Sequence, residues 1–125
     1  MVRRPALAGL MAAATLAFAA CGGSSSGSQA PAAAGACSVG SGGGGTPVTI
    51  QGFAFPSAPI AIAKGGSVTF TNSDSTTHTV TMDGGACEAG RVGPATSTTI
   101  TFTVAGTYAF HCAIHSSMKG SVVVS

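Results

Sequence analysis

From Thr46 to Ser125 apolar residues return at every second position, in short runs broken by glycine, proline, asparagine or aspartate. Val48/Ile50, Ile60/Ile62, Val68/Phe70, His78/Val80/Met82, Ile100/Phe102/Val104, Tyr108/Phe110 and Val122/Val124 mark seven such runs. Glycine, proline and β-branched residues recur too densely for a long helix. Strands of this kind bury one face each, so the expected fold is all-β: an antiparallel β-sandwich of about seven to eight strands. The strand rhythm is the only internal self-similarity, so solenoids and propellers are not indicated. A segment of this length makes a small core, and such domains often need a staple or a metal.

The chain before Thr46 obeys different rules. Arg3 and Arg4 precede an uncharged, alanine-rich run from Pro5 to Ala20, and Cys21 follows. The run is short of the roughly 20 apolar residues that a spanning helix needs, and it reads as an export signal over residues 1–20. Phe18-Ala19-Ala20-Cys21 resembles the bacterial lipoprotein signal, in which small residues precede a cysteine that is lipidated and becomes the new N-terminus. Phe18 departs from the usual aliphatic residue. The alternative is an ordinary secretory signal cut after small residues such as Ala17 and Ala19, with Cys21 incidental; both export the protein, and only the first tethers it. Residues 21–45 are then the lipidated cysteine and a flexible linker: residues 22–45 hold nine Gly, six Ser and five Ala and no charge. A Gly/Ser chain of that length spans roughly 25–30 Å root-mean-square. Gly23-Ser24-Ser25-Ser26-Gly27 and Gly40-Ser41-Gly42-Gly43-Gly44-Gly45 match a nucleophile-elbow and a dinucleotide pattern, but neither has a strand before it and a helix after it.

Charge narrows the function further. Once Arg3 and Arg4 are assigned to the signal, Lys64, Arg91 and Lys119 balance Asp74, Asp83 and Glu88. A neutral, charge-poor domain has no basic stripe for nucleic acid and no field to steer a strongly charged partner. Three acidic residues with no obvious pair among them give little basis for carboxylate acid/base catalysis.

Chemistry concentrates near the C-terminus, in Tyr108-Ala109-Phe110-His111-Cys112-Ala113-Ile114-His115-Ser116-Ser117-Met118-Lys119-Gly120. Alternation turns Cys112 inward with Tyr108 and Phe110 and turns His111 outward. The Cys-x2-His-x2-Met loop can curl a thiolate, an imidazole and a thioether around one point, and His78, inward in the register of Val80 and Met82, offers a second imidazole. One thiolate, two imidazoles and a thioether are the donor set of a blue-copper centre, three strong ligands and a weak axial one. Zinc accepts the thiolate and imidazoles but has little use for the thioether. Met82 is a poor rival as axial ligand because its register reads as core.

Phe53-Ala54-Phe55-Pro56, the run from Ile60 through Lys64-Gly65-Gly66-Ser67 to Asn72-Ser73-Asp74, His78-Thr79-Val80, Gly106 through His115, and Met118-Lys119-Gly120 together resemble the plastocyanin, pseudoazurin and amicyanin branch of the cupredoxins. The resemblance covers nearly all of residues 46–125. It implies a Greek-key sandwich with one copper ion, Cu(I)/Cu(II), held by His78, Cys112, His115 and Met118. The two-residue spacing from His115 to Met118 is similar to that of amicyanin. The resemblance also implies that the Thr79 backbone N–H donates to the Cys112 sulfur, and that His115 exposes a ring edge through an apolar surround of Ala113 and Ile114 with Phe53, Pro56 or Pro94 as further candidates.

With Cys21 lipidated and Cys112 on metal, Cys37 and Cys87 remain. In an oxidising compartment an even remainder favours a disulfide joining the linker to the Met82–Gly90 loop, which would shorten the free tether to a span of roughly 20 Å. Two free thiols or an intermolecular bridge are the alternatives. The expected protein is a monomeric electron carrier and not an enzyme, lipid-anchored outside the cytoplasmic membrane, at the cell surface or in the periplasm. Its expected partners are redox proteins and the membrane, with no nucleic acid. The rival readings are a copper store or delivery protein using the same ligands, and a structural β module whose His and Cys are incidental.

Overall fold

The computed structural model describes residues 35–41 and 43–125. The signal-like segment, Cys21 and most of the linker lie outside the described residues. Among the described residues nine strands form: β1 (Cys37–Gly40), β2 (Thr46–Ile50), β3 (Ile60–Ile62), β4 (Ser67–Asn72), β5 (His78–Met82), β6 (Glu88–Val92), β7 (Ser97–Phe102), β8 (Gly106–His111) and β9 (Lys119–Val124). A 3-10 turn, Asp83–Gly85, stands between β5 and β6. Among the described residues no helix is long and apolar enough to cross a membrane.

All seven alternating runs supply a strand, although β7 ends at Phe102 and leaves Val104 exposed beyond it, and the strands pack as two sheets in the orders β1-β7-β4-β2 and β3-β9-β8-β5-β6. The expected sandwich is present, with two departures. The first is that β2 pairs with β4, and β3 with β9, in parallel rather than antiparallel. Between β2 and β4 the chain crosses to the other sheet to lay down β3, so β4 returns in the direction of β2. The second is the pair of strands that alternation does not reveal. Strand β1 falls within residues 21–45, read as linker, yet it pairs antiparallel with β7 from Cys37↔Phe102 to Gly40↔Thr99. Strand β6 carries Gly90 at φ 65° and pairs with β5 through an irregular register between Thr79 and Thr81.

The core is the inward face of both sheets. Val48, Ile50, Val68, Phe70, Ile100 and Phe102 meet Val80, Met82, Tyr108, Phe110, Val122 and Val124, all buried. Phe55, Phe70 and Phe110 form an edge-to-face trio with centroids 4.8–6.4 Å apart, bridging the sheets. Such pairs add about 0.5–1.5 kcal/mol each beyond the area they bury. The outward face of β4 and β7 explains the threonines: Ser67–Thr101, Thr69–Thr99 and Thr71–Ser97 pair hydroxyls across the strands at 2.7–2.9 Å.

Two contacts tie the fold together at particular residues. The Phe110 ring lies over Gly120, its register partner on β9, and a Cβ at Gly120 would come within 2.5 Å of the ring. Cys37 and Cys87 are bonded, S–S 1.98 Å, closing a loop of 50 residues between the two sheets. Beside that bridge Gly35 N donates to Ala86 O (3.0 Å), and Ala36 O accepts from Thr103 N (2.9 Å).

Gly120→Ala forces the Phe110 ring aside and is expected to destabilise the domain by about 1–3 kcal/mol, read as a lower denaturation midpoint at unchanged m-value. Replacing both Cys37 and Cys87 by serine is expected to cost about 4 kcal/mol on the chain-entropy account of a loop this long; equal midpoints for the two proteins would show that the bridge adds nothing.

Candidate metal centre

The antiparallel pairing of β5 and β8, Thr81↔His111 and Met82↔Phe110, brings the start of one strand beside the end of the other. His78 opens β5 and Cys112 directly follows β8; both are fully buried. The 113–118 loop then folds back tightly, with Met118 N donating to His115 O and Cys112 N donating to Met118 O, each 3.0 Å. Met118 is buried at the end of this loop, while His115 is half-buried and Ile114 exposed.

Three donor atoms converge as a result. His78 Nδ1 lies 3.2 Å from His115 Nδ1, and the Cys112 sulfur lies 3.9 Å and 3.7 Å from the same two nitrogens. All three fall within 4.8 Å of one another, close enough to share a metal ion. A thiolate with two imidazoles suits copper or zinc; the buried thioether of Met118 on the same loop adds a soft donor that favours copper. The residues present therefore fit a copper ion.

Thr79 restrains the sulfur and the peptide that follows it. Its N–H donates to Cys112 Sγ at 3.3 Å, and its hydroxyl accepts from Ala113 N at 2.7 Å. Burial pushes the Cys112 thiol up, but the N–H groups of Thr79, His115 and Ile114, with the His115 ring, outweigh it and bring the thiol from its ordinary 9.0 down to about 6.

His111 points outward, as alternation predicts, and its Nδ1 meets the exposed carboxylate of Asp83 at 2.5 Å, away from the cluster. Of the apolar surround expected near His115, Phe53 is the one with ring contacts to the donors: its ring stands edge-on to His78 (5.4 Å) and to His115 (5.1 Å) while remaining half-exposed. Ala113 and Ile114 are exposed on the 113–118 loop, and Pro56 and Pro94 are also exposed.

Two residues were not singled out from the sequence. Asp74 Oδ2 lies 2.9 Å from His78 Nε2, and its carboxylate also accepts from Gly52 N (2.8 Å) and Phe53 N (2.9 Å). The Phe53 and Gly52 N–H groups hold the Asp74 carboxyl below the usual range, against a smaller opposing effect of burial. Asn72, fully buried, organises the loop that carries Asp74: its amide donates to Thr76 O and Val92 O, and its Oδ1 accepts from Asp74 N. The available signal was an acid four residues before a ligand-type histidine in a chain with only three acids.

A family model for the cupredoxin-like domain matches residues 11–124. The chain belongs to the cupredoxin-like family. Among solved structures this cupredoxin is similar to amicyanin. A reduced Cu(I) form of an amicyanin point mutant at pH 4 superposes with TM-score 0.64 at 27% identity, covering 72% of this chain and 99% of that one. A second mutant in the reduced state gives TM-score 0.59 at 31% identity over 66% and 83% of the two chains. A third, oxidised, gives 0.58 at 30% over the same shares. No curated protein matches the chain.

The lowered thiol has a measurable consequence for the metal-free protein. An acid depressed in the folded state stabilises it fully above its unfolded value and loses that contribution as pH falls through the folded one. Relative to Cys112→Ser, the metal-free wild type is therefore expected to gain stability between about pH 6 and pH 9, checked by chemical denaturation across that range. A constant difference between the two proteins would show that the thiol titrates at its ordinary value.

Proposed function

We propose that this cupredoxin is a type 1 copper protein that carries single electrons between redox proteins outside the cytoplasmic membrane. The observation that carries this reading is the convergence of His78 Nδ1, Cys112 Sγ and His115 Nδ1 at one buried point, with Met118 buried on the same loop. His78, Cys112 and His115 would hold the ion, with the Met118 thioether as a weaker fourth donor. Copper bound there would take up and return one electron, exchanging between Cu(II) and Cu(I). The amicyanin neighbours, solved in reduced and oxidised states, support that reading.

The chain's own residues contribute rigidity, exclusion of water and access. Thr79 holds the sulfur by one hydrogen bond and the following peptide by another. Burial of His78, Cys112 and Met118 keeps water away from three of the donors. His115 alone is partly open to the surface, between Phe53 and Ile114, and gives electrons a short route in and out. Four protein donors leave no position for a substrate, so the domain acts as a carrier and not as an enzyme. A near-zero domain charge points to docking through this apolar rim rather than by long-range steering.

We extend the proposal to the N-terminus: residues 1–20 direct export, Cys21 receives the lipid, and the monomeric domain works tethered to the membrane. The bonded Cys37 and Cys87 suit an oxidising compartment.

Copper loading with visible absorption tests the function. An intense thiolate-to-copper charge-transfer band is expected, abolished by Cys112→Ser and retained with an altered reduction potential in Met118→Leu. A colourless protein that holds only Cu(I) would point to storage or delivery instead, and the absence of stoichiometric copper would leave a structural module.

A further inference from the structure

Asp74 is the acidic residue that faces the candidate centre, and its carboxylate is fully engaged. Oδ1 accepts from Gly52 N, while Oδ2 accepts from both Phe53 N and His78 Nε2, at 2.8–2.9 Å. A carboxylate can only accept, so the His78 proton sits on Nε2 and the Nδ1 lone pair is left facing Cys112 and His115. Among the described residues Asp74 alone meets His78 Nε2; the His78 side chain is wholly buried, and the Asp74 side chain is only 13% exposed.

The same carboxylate shapes the surface above. Gly52 and Phe53 are both in the left-handed region, φ 64° and 57°, which a phenylalanine rarely adopts. Their two N–H groups point together at Asp74, and this turn sets the Phe53 ring edge-on to both imidazoles.

We propose that Asp74 is the positioning residue of the centre, one carboxylate that fixes His78 in its metal-facing tautomer and holds the Phe53 corner over both histidines. The proposal rests on the copper reading for its effect on the metal. An anionic acceptor on Nε2–H makes Nδ1 a stronger donor, which favours Cu(II) over Cu(I) and lowers the reduction potential. Asparagine keeps the size of the side chain but loses the charge, and its amide cannot accept all three N–H groups.

The experiment compares wild type and Asp74→Asn as full chains, metal-free by imidazole 15N NMR and copper-loaded by absorption and potentiometry. In metal-free wild type, His78 is expected as a single Nε2–H tautomer with a slowly exchanging proton, and that proton is expected to exchange faster in the variant. After loading, the variant is expected to stay blue, to bind Cu(II) about 10–100-fold more weakly and to show a raised potential. Each tenfold loss confined to Cu(II) corresponds to about 59 mV for one electron. A wild-type His78 protonated on Nδ1 or averaging between tautomers would overturn the proposal, even if the variant failed to fold. So would an unchanged potential in a folded variant. A colourless copper-loaded wild type would instead overturn the copper reading, with the metal-free NMR signal still deciding whether Asp74 holds His78.

Discussion

Thr81 faces His111 and Met82 faces Phe110, and this register between β5 and β8 decides where the donor atoms fall. Continued by two residues, it sets Thr79 level with Ala113, but there the backbones no longer pair directly. Side chains continue the ladder in their place: Ala113 N reaches the Thr79 hydroxyl and Thr79 N reaches the Cys112 sulfur. The sheet opens at this point without leaving those two N–H groups unpaired, and the opening lets the Cys112 sulfur and the two imidazole nitrogens form a compact triangle. Slipping β8 by one residue would turn Cys112 to the solvent face and put His111 inside, and the same slip of β5 would turn His78 out.

The aromatic trio makes that register hard to slip. Phe110 is packed by Phe55 and Phe70 from the other side of the sandwich and by Gly120 from its neighbouring strand. Phe110 stands two residues before Cys112 on the same face, so the packing that fills the core also fixes the height of the sulfur. Stability and site geometry therefore share the same side chains.

Much of this was legible in the sequence because it rests on strict alternation. The seven runs became seven strands, and the inward turn of His78 and Cys112 with the outward turn of His111 follows from period two alone. Strands β1 and β6 escaped because their pattern is not apolar alternation. Cys-Ser-Val-Gly has the composition of the linker around it and becomes a strand through β7 and the Cys37–Cys87 bond. Glu88–Val92 contains a glycine at positive φ and an irregular pairing. Asp74 and Asn72 escaped for a different reason: they act through hydrogen bonds to a loop more than 20 residues earlier and to a strand 20 residues later, which no local pattern encodes. The resemblance named Phe53 only as one of several surface candidates, since its contact with both imidazoles depends on a left-handed turn.

The attachment of β1 has a mechanical consequence. Gly35 meets the chain at Ala86, and Ala36 lies at the level of Tyr108, four residues along β8 from Cys112, or about 13 Å at the usual rise of a strand. Force entering at residue 35 would pass into the Cys37–Cys87 bond and load β1 and β7 in shear, spreading into one sheet through the bond and the other through the strand pair. The 113–118 loop lies off that load path. A domain pulled by its N-terminal end would thus transmit tension through its staple while the loop that carries His115 and Met118 stays unloaded.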